Sequence, residues 1–377
     1  MSVEVHTDLR QLESIEAQWR ALAERRGNAF LTPEGMRAWL SIYGDRAEPR
    51  VAVSRREDGG VRGILPLVTV RAGATSVLRF AGYNLGDSFH PAAEDGEDAE
   101  VAAECFAALA GLGARPAAVL DHVSVSGSWQ RAAADSAGLS RGRPQRGDVL
   151  PFIELAGQSW EDFMSGRSRN LRSQVGRKTR ALERDFEVTY RLAEEATLSA
   201  DIAALVRLHQ RRWEGRGGSG ALSERPSRFH AEFAASALAR GWLRLWLLEL
   251  DGEPVAAWYG WRLGDRYSYY QAGFDPRFEK QSVGLVLLAH TIRAAAEEGS
   301  AVYDLLRGGE AYKSRFATAE RSVHTVALTM PGSLTRLLLE TEAAAWRAGQ
   351  RLTPERLAMA RAAYGKLERF MPGGRAR

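Results

Sequence analysis

Apolar residues recur along this chain in two alternating rhythms. Between residues 8 and 26, Leu12, Ile15, Trp19 and Leu22 fall three and four apart, which predicts an amphipathic helix. Pro33 opens a second short helix carrying Met36, Trp39 and Leu40, because proline fits the first helical position. The rhythm then changes to strands. RVAVSRR, VRGILPLVTVR and SVLRFAGYN are separated by the turn sequences EDGG and AGA, which predicts an antiparallel meander. An acidic loop, LGDSFHPAAEDGED, a helix at about 98–111 and a buried strand, Ala117–His122, follow.

The second half repeats this order. LRLWLLEL, VAAWYGWRL and RYSYYQAGFD are strands joined by the turns DGEP and GD. After the loop PRFEKQ comes a helix, Ser282–Glu298, ended by Gly299, and then a strand, Ala301–Leu306. Three stretches correspond in the same order. Asp58-Gly59 matches Asp251-Gly252, RFAGYN aligns with the stretch ending in Gly273-Phe274-Asp275, and Ala118–Asp121 matches Ala301–Asp304. An internal duplication of α+β units explains this, each with a meander and a helix crossing to a parallel strand. The expected boundaries are a first domain at 1–160, a second at 161–335 and a helical extension at 336–377.

Hairpin, hairpin, loop, helix and parallel strand is also the core order of the GNAT acyltransferase fold. Lys280-Gln281-Ser282-Val283-Gly284-Leu285 resembles that family's Q/R-x-x-G-x-G/A loop in Gln281 and Gly284, and departs from it at Val286. Across residues 10–330 the chain resembles the tandem-GNAT proteins of the CelD/BioF2-like acetyltransferase family, related to the FemAB peptidyltransferases. The resembling stretches include GILPLVTVR, RFAGYN, NLRSQVGRKTRALER, VRLHQRRW, YYQAGFDPRFEKQSVGLVLLAHTI and YDLLRGGEAYKSRF. The resemblance implies two GNAT-like domains in tandem and transfer of an acyl or aminoacyl group to an amine. It implies acyl-CoA as cosubstrate, its pyrophosphate held by Gln281, Ser282, Val283, Gly284 and Leu285 on backbone N–H groups at a helix start. The acidic loop in the corresponding place of the first half suits no pyrophosphate, so the first domain reads as degenerate, structural or substrate-shaping.

Four further residues are candidates for chemistry. His209 shares a helix face with Ile202, Leu205 and Trp213, and is either a packed core histidine or a general base for the attacking amine. Asp304 lies in a strand of buried character and needs a partner, for which Lys313 and Arg315 are at hand. It reads either as an ordering ion pair or as a base or ammonium anchor. Tyr312 follows the flexible stretch Arg307–Glu310 and either packs or, as the resemblance implies, protonates the leaving thiolate. Lys313 is one of only four lysines among 51 basic residues, and its ammonium suits phosphate or an acidic substrate group. Tyr267 and Tyr269 share one strand face and Tyr270 takes the other.

Composition narrows the field. Cys105, the single cysteine, rules out an intramolecular disulfide framework, and the seven histidines show neither HxxxH nor HExxH spacing, so no metal is expected. No apolar run is long enough to span a membrane and no signal peptide is visible, which predicts a cytoplasmic protein without a membrane span. The net charge of +4 conceals two basic stretches, 167–184 and 347–377, each of net +6. The first has helical spacing in Leu171, Val175 and Leu182, and lies outside the 281–285 loop in sequence, so it is expected to leave a CoA donor untouched. It suits a second reading, a FemAB-like transferase that takes its donor from aminoacyl-tRNA, since RNA is gripped through phosphates. A third reading is a non-catalytic scaffold. The favoured acceptor is the amine of a small molecule or of a cell-surface or secondary-metabolite precursor.

Overall fold

The computed structural model describes residues 2–350 apart from 73–74, 113–116, 215–217 and 309. Most of the expected extension at 336–377, and of the basic stretch 347–377, lies outside the described residues.

The first half opens with strand β1 (Ser2–His6) and a 3-10 turn, Leu9–Ile15, that runs into helix α1 (Glu16–Arg25). The single helix expected at 8–26 is thus two pieces. Asp8 accepts from the Arg10 N–H and starts a tight turn, yet Leu12, Ile15, Trp19 and Leu22 all still point inward. Helix α2 (Pro33–Tyr43) is capped by Thr32, whose hydroxyl accepts from the Gly35 N–H at 3.0 Å. The meander is β2 (Ala47–Arg55), β3 (Val61–Ala72) and β4 (Thr75–Phe80), with the short β5 (Ala92–Ala93) beside β3. Helix α3 (Asp98–Gly111) buries Cys105 and crosses to β6 (Ala118–Ser124), which lies parallel to β4 with Leu78 opposite Ala118. Helix α4 (Trp129–Ser136), the short β7 (Ser140–Arg141) and β8 (Gln145–Glu154) end this half.

The second half starts with α5 (Trp160–Ser165), the basic helix α6 (Arg169–Asp185), β9 (Val188–Leu192), α7 (Leu198–Trp213) and α8 (Glu224–Ala239). Its meander is β10 (Leu243–Leu250), β11 (Glu253–Leu263) and β12 (Arg266–Phe274). Helix α9 (Val283–Glu297) crosses to β13 (Val302–Asp304), parallel to β12. Then come α10 (Ala311–Phe316), β14 (Ala319–Thr329) and α11 (Leu334–Gln350). Each half therefore has the same meander, crossover helix and parallel strand.

Among the described residues the strands form one mixed sheet, ordered β1-β2-β3-β4-β6-β14-β8-β13-β12-β11-β10-β9. The centre of this order is an exchange. β14, from the end of the second half, pairs with β6 of the first, and β8, from the end of the first half, pairs with β13 of the second. β8 and β14 also pair with each other. The two halves are thus fused through the sheet, and their apolar faces form two core clusters. One spans the first half and reaches the β10–β12 face bearing Tyr259 and Trp261. The other packs α9 against Trp258, Tyr267, Tyr269 and Tyr303.

Candidate functional site

Strand β12 makes the site possible because it parts from its neighbour. It pairs with β13 only from Arg266 to Ser268, opposite Val302 to Asp304, yet continues to Phe274. Its register against β11 shifts between Tyr259 and Gly260, where Tyr270 is the extra residue. On one face, α7 presses so closely that a Cβ at Gly273 would meet the His209 backbone nitrogen at 2.2 Å, so glycine is required there. On the other face stands α9.

The start of α9 is open. Ser282, its N-cap, is held at φ 61° and makes no side-chain cap. Leu285 and Val286 N–H both return to the Ser282 carbonyl, whereas Val283 and Gly284 N–H have no partner among the described residues. Unsatisfied donors at a helix start carry the positive end of the helix dipole. Ser282, Val283, Gly284 and Leu285 line a cavity of about 160 Å³ whose other walls include Trp258, Phe274 and Tyr312. A Cβ at Gly284 would meet the Phe274 ring at 3.4 Å, so the helix itself tolerates a side chain there. Gln281 does not line the cavity, and its Oε1 is buried without a partner.

Two hydroxyls face each other in this cavity, Tyr269 Oη and Tyr312 Oη at 2.8 Å. Burial raises the pKa of both and keeps them as phenols. Arg212 lines the same cavity and stands electrostatically beside both hydroxyls. Lys313, 5% exposed, donates to the Arg307 carbonyl at 2.8 Å, pairs with Glu310 at 3.2 Å and stands 5.5 Å from the Tyr269 ring centre. Burial lowers its pKa.

Residues 169–314, from the start of α6 into α10, match a family model described as "Acetyltransferase (GNAT) domain". This segment, under half of the chain, is similar to a GNAT acetyltransferase domain. The match supports an acyltransferase. Solved structures share its whole fold at low identity. FemX aligns with a TM-score of 0.63 at 11% identity, over 86% of this chain and 97% of FemX. L-PGS from Bacillus licheniformis gives 0.53 at 14%, over 88% and 95%. A conserved protein of unknown function from Bacteroides thetaiotaomicron gives 0.55 at 10%, over 87% and 100%. No curated protein matches the chain.

Of the residues singled out in the sequence, the GNAT-like segment gathers Tyr312 and the Ser282–Leu285 loop around one cavity and sets Lys313 beside it. His209 and Asp304 lie elsewhere. His209 is buried, with Nδ1 3.0 Å from the Ala272 carbonyl, which can only accept. Its Nε2 is then the acceptor for Ser219 Oγ, also at 3.0 Å. Burial lowers its pKa and favours this neutral ring. Asp304 faces the opposite side of the sheet from Tyr303. Its partners are Arg266 at 3.3 Å and Arg321, with Leu306 N–H on Oδ1, not the Lys313 and Arg315 expected from sequence. The first half has a counterpart: Arg79 on β4 forks onto Asp121 on β6 at 2.6 and 2.9 Å.

Sequence reading missed Arg212 and gave Lys178 no place beside the α9 loop. Arg212 follows His209 by three residues and so shares its helix face, which is a usable signal. Lys178 donates to the Lys280 carbonyl at the head of the α9 loop, so the basic helix, distant from that loop in sequence, touches it in space. Helix α6 also holds α10, since Arg315 donates to Gln174 Oε1 at 2.7 Å, and just ahead of α6 Arg167 donates to the Ala317 carbonyl past the end of α10 at 3.0 Å. Nothing local in the sequence marks these contacts. Among the described residues no His, Cys, Asp and Glu cluster suits a metal, and no helix is long and apolar enough to cross a membrane.

Proposed function

We propose that this protein is a cytoplasmic N-acyltransferase that moves an acyl group from acyl-CoA to the amine of a small molecule. The uncapped start of α9 carries this reading, because two unpartnered N–H groups and a helix dipole face a cavity whose remaining walls are largely apolar. Val283 and Gly284 N–H would hold pyrophosphate oxygens, and the apolar walls would cover the pantetheine arm. The donor supplies an activated thioester, so the protein needs no nucleophile of its own. In this reading Tyr312 gives a proton to the departing thiolate and Tyr269, 2.8 Å from its hydroxyl, replenishes it. Arg212 and the buried Lys313 stabilise the negative charge that develops there.

Thiol release from acetyl-CoA and longer acyl-CoAs, measured against a panel of amines, tests this reading. Amine-dependent release is expected. Release from no donor with any amine, together with no binding of acyl-CoA, would refute it. The basic face of α6, with Arg169, Arg172, Arg177, Arg180 and Arg184 exposed, supports a second reading in which the donor is carried on tRNA.

A further inference from the structure

The other side of the splayed sheet holds a larger cavity, about 470 Å³, roofed by the first half and floored by the second. That volume is in the roughly 300–1,000 Å³ range of small-molecule sites. Arg266, Ser268 and Asp304 lie on its floor with Arg321 from the exchanged strand β14. The roof is the end of α1 and the loops around His90 and Trp129.

Charge in this cavity is divided. On the floor, Arg266 and Arg321 share the single carboxylate of Asp304, which is 1% exposed, while the two guanidinium side chains keep 28% and 30% exposure. Two cations against one buried anion leave a positive charge unmatched. The roof brings carboxylates to the cavity, Asp87, Asp95 and Asp98, along with Arg25 and Arg26. Arg26 stands between Asp95 at 3.2 Å and Asp98 at 2.8 Å. Asp87 is taken by Arg307 at 3.2 Å, and Arg25 is near Glu94 at 3.8 Å. His90 senses the floor. Burial first, then Arg26, Arg266 and Arg321, push its pKa down to about 3, so it stays neutral.

Position links this cavity to the chemistry. Ser268 on its floor is followed by Tyr269, which lines the cavity at α9, and β12 and β13 separate at that point. An amine bound here would lie on the far side of the splay from the thioester site.

We propose that this cavity binds the acceptor, and that the acceptor is a zwitterion: an amine whose carboxylate or phosphate rests on Arg266 and Arg321, with its ammonium toward the roof carboxylates. This rests on the transferase reading for its role, but not for its binding. Asp304 is then not the anchor of the substrate ammonium. It positions the two guanidiniums and competes with the ligand's own anion.

Binding of matched probes by thermal shift, with and without acetyl-CoA, tests the proposal. The pairs are L-glutamine and L-glutamine amide, phosphoethanolamine and ethanolamine, and glucosamine 6-phosphate and glucosamine. The acidic member of at least one pair should bind at least fivefold tighter, and whether it is the carboxylate or a phosphate identifies the anion. Arg321→Gln should abolish the preference and Arg321→Lys should keep part of it. Asp304→Asn, which retains an acceptor for the Leu306 N–H, should strengthen binding of the acidic member severalfold. Equal or better binding of every member that lacks the anion, no binding of any acidic member, or weaker binding in Asp304→Asn would each overturn the proposal. Acetyl-CoA in the same samples separates the two readings. Donor binding without acidic-probe binding refutes only the acceptor site, and the reverse refutes only the donor.

Discussion

The hydroxyl oxygens of Tyr269 and Tyr312 lie 2.8 Å apart, although the two residues come from elements on either side of the splay, β12 and α10. One proton lies between them and the other points onward, so the pair can pass a proton without either ring becoming charged in the resting enzyme. Burial, which raises both pKa values, keeps that proton available at neutral pH.

Tyr312→Phe should therefore lower kcat by roughly 10²-fold, the low end of general acid catalysis, and leave KM for the donor nearly unchanged. Tyr269→Phe should cost less, because Tyr312 keeps its own proton. Steady-state kinetics on both variants checks this. A rise in KM at constant kcat would assign Tyr312 to binding instead.

Lys178 ties α6 to the loop before α9 through the Lys280 carbonyl. Lys178→Gln should weaken acyl-CoA binding severalfold, while Arg172→Gln, whose side chain turns back to the Ser165 and Arg167 carbonyls, should not. Titrations at several salt concentrations distinguish a tRNA-borne donor. In that case log affinity should fall by about 0.7–0.9 per phosphate contact per log unit of salt, and losing Arg172, Arg177 and Lys178 together should flatten the slope by roughly two to three.

Acid should destabilise the fold through its buried histidines. His230 is fully enclosed by Phe229, Tyr259 and Tyr270, and neither ring nitrogen has a partner. Burial depresses its pKa to about 3. The unfolded chain, with an ordinary histidine near 6.5, takes up the proton more readily. Its contribution is therefore complete above about pH 6.5 and declines as pH falls toward 3, costing ~2 kcal/mol by pH 5. Melting temperature should drop steadily below pH 6.5, and His230→Phe should make that drop shallower. An identical pH dependence in the variant would contradict the assignment.

The meanders and crossover helices were legible because their apolar periods are local: LRLWLLEL and VAAWYGWRL announce strands wherever they pair. β8 and β14 were not. β8 contains Pro151, β14 has the polar run Glu320-Arg321-Ser322 near its start, and each pairs with strands of the other half. Such pairing leaves no mark at short range. The same exchange hid the partner of Asp304, since Arg321 arrives on β14 rather than on the nearby loop carrying Lys313. The α9 loop was legible from Gln281 and Gly284 between a strand and a helix, whereas the unpartnered N–H groups, not the Gln281 side chain, give that loop its character. His209 could be placed on an inward face from spacing alone, but only the fold supplies the Ala272 carbonyl and Ser219 that occupy both its nitrogens.

The account stands on the start of α9 as the seat of the donor, and one titration tests it. Acetyl-CoA should bind the full chain one to one by calorimetry, and Gly284→Glu should weaken that binding at least tenfold with little change in melting temperature, since the position accepts a side chain but not a negative charge beside phosphates. Equal affinity in the two proteins, or no binding to the unaltered chain, would contradict the assignment of this cavity to acyl-CoA.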